Sequence, residues 1–167
     1  MTSSNAAVSS PKNPDTTAGA EPFPPVELLL PHSHPMILVD RLLTAEDDSV
    51  TAEVRLRPDS PLVGPDGRVS ALVSIEYMAQ TIGLLTGYES FRRHLPVQVG
   101  YLLGARDLSL STDHFSAGDT LTVEVTRIFG EDELGAFHCR VLKDGETAAE
   151  ATLNVYRNKE HILPGRH

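Results

Sequence analysis

The sequence predicts an α+β protein in which an antiparallel sheet wraps around one long central helix. Residues 71–87 are apolar on nearly every side, which is typical of a helix that is buried all round. The flanking segments carry apolar residues at alternate positions, the period of a strand with one buried face. Two such strands before the helix and about four after it favour a sheet with one face covered by the helix.

Length and composition predict one folded domain with a tail at each end. The chain has 167 residues, of which 40% are hydrophobic, and this is enough for a single packed core. Residues 1–25 are rich in Ser, Thr, Ala, Asn and Pro, so they bury too little apolar surface to offset the entropy of ordering. We predict a disordered N-terminal tail over 1–25, the folded domain over 26–160 and a C-terminal tail over 161–167.

Charge and cysteine content argue against several classes of protein. A formal net charge of -9 disfavours nucleic acid and anionic lipid as main partners, because both require a basic surface. Cys139 is the only cysteine, so no intrachain disulfide is expected and a cytoplasmic location is the simplest interpretation. No apolar run approaches the length of a membrane span, and no signal-peptide pattern opens the sequence. We therefore expect no membrane association.

Two strands are predicted before the helix. The apolar run 36–39, continued by Leu42 and Leu43, predicts the first strand. Residues 50–57 alternate between apolar and polar side chains and predict the second. Residues 58–67 are dense in proline and glycine, which indicates a loop between the second strand and the helix.

The central helix is predicted to begin near Ser70 and to end before Pro96. Serine is a favourable N-cap residue, and the residue before a proline is disfavoured in a helix. Gly83 and Gly87 lower the helix propensity of the segment. Their presence predicts that another part of the chain approaches the helix backbone closely.

Four extended segments are predicted after the helix. The first covers residues 98–110, and the next two alternate over 120–126 and 137–141. Residues 143–146 contain an Asp-Gly pair, which is typical of a hairpin turn, and lead to a last strand over 149–155. Because an open antiparallel sheet exposes an edge that another chain can cover, we also predict a dimer.

Glu76 is the residue most expected to take part in chemistry. It is the only carboxylate within the apolar segment 71–87. Burying an unpaired charge is costly, so such a group is normally paired, protonated or functional. A buried carboxyl group suits a general acid or base. The alternative is a structural glutamate that bonds to the backbone or to a partner.

His32 and His34 form a His-x-His pair ahead of the first strand. The pair could contribute to a metal site, but no cysteine pair or well-spaced third ligand accompanies it. Histidines that orient a loop are therefore favoured. Cys139 falls at an apolar strand position and is predicted to lie in the core, because a reactive thiol requires an exposed, electropositive setting.

Three motifs resemble those of β-hydroxyacyl-acyl carrier protein dehydratases of the FabZ/FabA type, in the same order. LLPHSHPMILVDR at 29–41 resembles their N-terminal strand motif, IEYMAQ at 75–80 resembles their central-helix motif EAMAQ, and GDTL at 118–121 resembles their late strand entry. The similarity covers residues 26–157. The sequence EYMAQ followed by GYLLGAR at 100–106 is most similar to the ApeP-type hotdog subunit associated with aryl polyene biosynthesis.

This resemblance implies a hotdog fold, a dimer, and an acyl chain carried on the phosphopantetheine of acyl carrier protein. It implies neither a cofactor nor a metal. Glu76 would be the acid that serves the leaving hydroxyl group, and Gln80 would support it one helical turn further on. The residues assigned to substrate binding are Gln80, Ala71, Leu72, Pro35 and Met36.

The chain departs from the FabZ pattern at the catalytic histidine. FabZ-type sites combine a glutamate and a histidine from different subunits, and the histidine position falls at Leu62 here. No histidine occurs between Leu43 and His94. The family's Pro-Gly pair before the helix is replaced by Ser70-Ala71, although an alanine amide at a helix N-terminus could still polarise a thioester carbonyl.

The missing base leaves three alternatives. A histidine-bearing hotdog subunit could complete the site in a heterodimer, His32 or His34 could supply the base, or the subunit could lack catalysis. The resemblance implies a 3-hydroxyacyl-acyl carrier protein dehydratase subunit, a lyase, with Glu76 and His32 as candidate catalytic residues. A non-catalytic partner subunit or an acyl thioesterase is the alternative.

Overall fold

The computed structural model describes residues 23–131 and 133–162, so most of the two predicted tails lies outside the described residues. Its long helix is α1 (Ser74–Arg92), and short 3-10 turns occupy Val26–Leu28 and Ala71–Val73. The strands, in chain order, are β1 (Arg41–Ala45), β2 (Ser49–Arg55), β3 (Arg68–Ser70), β4 (Gln98–Leu110), β5 (His114–Ser116), β6 (Thr120–Glu131), β7 (Leu134–Lys143) and β8 (Glu146–Ile162).

Six strands form one antiparallel sheet in the order β1-β2-β6-β7-β8-β4, and β3 pairs with β5 beside it. Buried side chains of α1 and of the sheet belong to one hydrophobic core. This arrangement confirms the predicted sheet around a single long helix. In the part of the chain that the structure describes, no helix is long and apolar enough to cross a membrane.

The alternating strand patterns bury the residues that they predicted. Inward residues of β2 stand opposite those of β6 in the pairs Val50–Val125, Ala52–Val123 and Val54–Leu121, and all six are buried. Cys139 of β7 is fully buried, and this burial raises the pKa of its thiol to about 12. A thiol with so high a pKa stays protonated, which agrees with the predicted core position.

The prediction of a first strand over 36–39 is wrong, because β1 begins only at Arg41. The side chain of Gln80 accepts a hydrogen bond from the Leu38 N–H and donates one to the Met36 carbonyl, each at 2.8 Å. These backbone groups are therefore bonded to a helix side chain instead of a neighbouring strand. The apolar run still reflects burial, since residues 37–39 are buried in the core.

The helical segment begins at the predicted place but in two parts. Ala71–Val73 forms a 3-10 turn before α1 starts at Ser74. The Ser70 hydroxyl accepts a hydrogen bond from the Leu72 N–H at 3.3 Å, which confirms Ser70 as a capping residue.

The prediction that the helix is buried all round is wrong for a single chain. The sheet covers one side of α1 and leaves the other side open. Leu72, just before α1, is 58% exposed, and the Glu76 side chain is 40% exposed. Partly exposed positions continue along this side at Ile75, Ala79, Gly83 and Thr86.

Gly83 and Gly87 permit the close approach that the sequence predicted. A Cβ atom at Gly87 would overlap the carbonyl oxygen of Leu29, and one at Gly83 would lie 2.9 Å from Cδ2 of Leu30. The turn that begins at Val26 therefore packs directly on the helix backbone, and Leu29 and Leu30 are buried there. This contact fixes the start of the segment that continues to His32.

The two edges of the six-stranded sheet differ in length and polarity. The edge strand β1 has 5 residues and exposes Arg41, whereas β4 has 13 residues and exposes Tyr101, Leu102 and Leu103. Short, charged edges resist pairing with another chain, and long apolar edges favour it. If the chain dimerises through a sheet edge, β4 is the edge that we expect to pair.

Candidate active site

Glu76 lies in the first turn of α1, on the side that the sheet leaves open. Leu72 precedes it by one helical turn, and Met36 is joined to the same site through Gln80. Both apolar side chains are exposed in the single chain. The carboxylate is therefore accessible within an apolar setting, which differs from the predicted full burial but leaves room for a substrate.

Gln80 fixes the orientation of Glu76 and of the segment that passes over it. Its amide nitrogen donates to Glu76 Oε1 and to the Met36 carbonyl, both at 2.8 Å, while its amide oxygen accepts from Leu38. Gln80 is fully buried, and both amide hydrogens have acceptors. A flipped amide would place its oxygen against two other oxygens, so this network permits one orientation.

His32 is the histidine that the described structure brings close to Glu76. Its Nε2 atom lies 4.0 Å from Glu76 Oε1, and the His32 side chain is 36% exposed. His34 has a different partner, because its Nε2 atom lies 3.1 Å from Oε1 of Glu27. The hydrogen bond with His34 lowers the pKa of Glu27. Of the two predicted histidines, only His32 adjoins the candidate site.

The Ala71 amide does not match its predicted role. The Ala71 N–H donates to the Asp113 carbonyl oxygen at 2.9 Å, and Ala71 is fully buried. This donor is therefore already used in a backbone contact and is not directed at a substrate carbonyl. The Leu72 N–H is bonded to Ser70, although the Leu72 side chain remains open to solvent. Pro35 is exposed in the loop before Met36.

Leu62, at the position of the family histidine, lies on the exposed loop before the helix. Its φ angle is 70°, in the left-handed region that non-glycine residues rarely adopt, and 53% of the residue is exposed. A leucine cannot accept or donate a proton. Among the residues that the structure describes, the candidate site therefore consists of Glu76, Gln80 and His32.

Sequence reasoning missed the backbone groups that complete this network. The Leu38 N–H and the Met36 carbonyl are bonded by Gln80, and the Asp113 carbonyl occupies the Ala71 amide. Backbone groups are present at every residue, so their side-chain partners leave no sequence signal. The buried glutamine within an apolar helix was the one available indication, since a buried amide requires partners.

Replacing Gln80 with alanine is expected to lower the free energy of unfolding of the chain by about 1–3 kcal/mol, because buried backbone groups lose their partner. Thermal and urea unfolding would measure the change. Gln98→Ala is the matched control, since the Gln98 side chain has no hydrogen bond among the described residues. Equal stability of Gln80→Ala and Gln98→Ala would contradict the proposed importance of the Gln80 hydrogen bonds.

The comparisons with known proteins agree with this fold. A family model described as ApeP dehydratase matches residues 24–163. The 3-hydroxyacyl-acyl-carrier-protein dehydratase FabZ of Streptococcus pyogenes serotype M3 is 29% identical over 132 residues, which cover 77% of this chain and 92% of that enzyme. The sequence relatives are thus dehydratases matched over most of their length.

Solved structures show the same architecture. The dehydratase heterocomplex ApeI:P from Xenorhabdus doucetiae matches with a TM-score of 0.79 and 28% identity, over 83% of this chain and 95% of that chain. A hypothetical thioesterase with coenzyme A from Streptococcus pneumoniae matches with a TM-score of 0.54 and 13% identity, over 71% and 84% of the two chains. At that identity the thioesterase shows the shared fold alone.

The sheet around one helix and the dehydratase relatives together define the class, a hotdog-fold dehydratase. Within this class, the chain belongs to the ApeP-like family of dehydratases, which matches nearly the whole described chain. Both conclusions confirm what the sequence motifs predicted.

Proposed function

We propose that this chain is a 3-hydroxyacyl-acyl carrier protein dehydratase subunit that completes its active site with a histidine-bearing hotdog partner. The observation that carries the proposal is a carboxylate held in one orientation on the open side of the helix. Gln80 bonds both Glu76 and the Met36 carbonyl at 2.8 Å, Leu72 lies one helical turn before Glu76, and the Leu72 and Met36 side chains are exposed. An acyl chain and a second subunit can both reach such a surface.

The proposed reaction is a water elimination shared between a base and an acid. The base removes the proton from the carbon next to the thioester carbonyl, and Glu76, protonated, donates its proton to the hydroxyl group on the next carbon. The C–H and C–O bonds break, a carbon–carbon double bond forms and water leaves. Proton return from the base to Glu76 restores the site, so neither a metal nor a redox cofactor is required.

A partner subunit is the preferred source of the base. Leu62 cannot supply it, whereas the long apolar edge strand β4 offers a surface along which a second hotdog sheet could pair. The ApeI:P relative is itself a heterocomplex. His32, 4.0 Å from Glu76, is the second candidate base, and it would make the chain active without a histidine-bearing partner.

The acyl substrate is proposed to arrive on the phosphopantetheine of acyl carrier protein. This part of the proposal is supported by the FabZ relative, which acts on an acyl-carrier-protein substrate by its name. A cytoplasmic location is also proposed, in keeping with a single, buried cysteine.

Reconstitution tests the proposed function. The full chain would be incubated with 3-hydroxyacyl-acyl carrier protein, alone and together with a co-expressed histidine-bearing hotdog subunit whose catalytic glutamate is replaced by glutamine. We expect enoyl product only from the mixed complex, because the base and the acid then come from different subunits. Mass spectrometry of the acyl group would measure the 18-Da loss that dehydration requires.

The alternative functions differ in the product that forms and in whether this chain alone or only the mixed complex forms it. Enoyl product from this chain alone would assign the base to His32 instead of the partner. Free thiol would indicate thioester hydrolysis and would reject the dehydratase proposal. A mixed complex that forms but makes no product would indicate a non-catalytic subunit.

A further inference from the structure

A cavity is lined by residues 37–39, within the segment whose backbone is bonded to Gln80. The proposed reaction does not use this cavity. It is enclosed by the end of β2, the turn at Val26–Leu28, the loop after β2 and residues 37–40. Its volume is about 150 Å³. A cavity of about this volume has room for a guest of about the size of benzene.

The cavity lining is mixed, with buried apolar side chains from the core on its inner side and polar side chains, among them Asp40, Arg57 and Ser60, at its mouth. Val26, Ile37, Leu38, Val39 and Leu56 line it and are buried. This inner part of the lining favours an apolar body, since a hydrated group there would lose water contacts without replacement.

Tyr77 gives this cavity one polar group without a protein partner. Tyr77 lines the cavity and is 2% exposed, and its hydroxyl has no hydrogen bond to any residue that the structure describes. Burial raises the pKa of Tyr77 to about 12, so the hydroxyl stays protonated and can donate. Buried tyrosine hydroxyl groups normally have a hydrogen-bond partner.

The charged groups at the mouth already have partners. Glu27 contacts His34 at 3.1 Å, Asp40 contacts Arg57 at 2.7 Å, and Arg55 contacts Glu53 at 2.7 Å. The hydroxyl of Ser60 accepts from the Arg57 N–H at 2.8 Å. Because each of these groups has a partner, the mouth provides no uncompensated charge to bind an ion. A neutral guest fits this arrangement.

The cavity and the candidate active site lie on different sides of one segment. Tyr77 and Glu76 are consecutive on α1 and so project about 100° apart around the helix axis. The segment of Ile37, Leu38 and Val39 lines the cavity, while the Leu38 N–H is bonded to Gln80 of the active site. A guest in the cavity would therefore not contact Glu76 directly.

We propose that this cavity is a second binding site, which takes a small neutral molecule with an apolar body and one oxygen that accepts a hydrogen bond from Tyr77. Cyclohexanone has these properties, and benzene is the comparison molecule that lacks the acceptor. The proposal does not depend on the dehydratase activity.

A titration of the full chain, followed by two-dimensional amide NMR, tests the site. Cyclohexanone is expected to shift the amide signals of Ile37, Val39 and Tyr77 in a saturable way. Tyr77→Phe keeps the ring and removes the donor, so its affinity for cyclohexanone should fall about fivefold, while its affinity for benzene stays unchanged. Tyr88→Phe, at the other end of α1, is the matched control and should bind cyclohexanone like the parent chain.

Two outcomes would overturn the proposal. One is the lack of a saturable shift at these three residues for cyclohexanone, which would show a cavity that holds only water. The other is equal cyclohexanone affinity of the parent chain and Tyr77→Phe, which would show that the hydroxyl does not receive the guest. Neither outcome would affect the proposed dehydration at Glu76.

Discussion

Glu76→Gln, in the complex with a histidine-bearing partner, is expected to lower the rate of dehydration at least tenfold. Glutamine has the same shape and its side-chain oxygen can still accept the hydrogen bond from Gln80, so the site should keep its geometry. It cannot donate the proton that the leaving hydroxyl group needs. General acid–base catalysis typically contributes about 10²–10⁴-fold, which sets the size of the expected loss in kcat.

The matched control is Glu150→Gln. Glu150 also contacts a histidine, since its Oε1 atom lies 2.7 Å from Nε2 of His138. Its neighbours Ala149 and Ala151 are buried in the core, so Glu150 lies on the opposite face of the sheet from the helix and the candidate site. We expect this variant to retain the parent rate. Unchanged turnover in the Glu76→Gln complex would exclude a catalytic role for Glu76 and would support a subunit that only stabilises its partner.

Gly87→Ala is expected to destabilise the chain by about 3 kcal/mol, towards the upper end of overpacking effects. An added Cβ would overlap the backbone carbonyl of Leu29, which cannot rotate away as a side chain can. Alanine improves helix propensity by about 1 kcal/mol. The expected destabilisation of about 3 kcal/mol is the net value after this gain. Thermal unfolding should show a decrease in Tm of about 10 °C.

Gly83→Ala is the matched control on the same helix. Its Cβ would meet only the end of the flexible Leu30 side chain, so we expect a stability change below about 1 kcal/mol. The Gly87 variant should also lose dehydratase activity, because the displaced turn leads directly to His32 and Met36. Equal unfolding curves for the two variants would contradict the close backbone approach at Gly87.

Elements with a clear period were predictable from the sequence. The alternation in β2, β6 and β7 matched the buried faces of these strands, because side chains in a strand point to opposite sides at every residue. The helix start near Ser70 followed from its capping chemistry. Residues 36–39 failed as a strand because a short apolar run shows burial without showing backbone pairing.

The candidate site was predictable only in part. Glu76 and Gln80 are four residues apart, so a contact between them follows from helix geometry alone. The choice between His32 and His34 depended on how the loop turns, which no local pattern encodes. The predicted role of Ala71 was wrong because its N–H is bonded to Asp113, which lies far away in the sequence.

The sequence by itself therefore determined the order of the helix and the six strands of the main sheet, although not the short pair β3 and β5, and also the family and the carboxylate with its supporting glutamine. These follow from residue periodicity and from motifs within short segments. Only the tertiary structure decided that Glu76 faces an open side of the helix, that His32 adjoins it and that the Ala71 amide is occupied. Such features depend on contacts between distant segments, which form only when the sheet and the N-terminal turn pack against the helix.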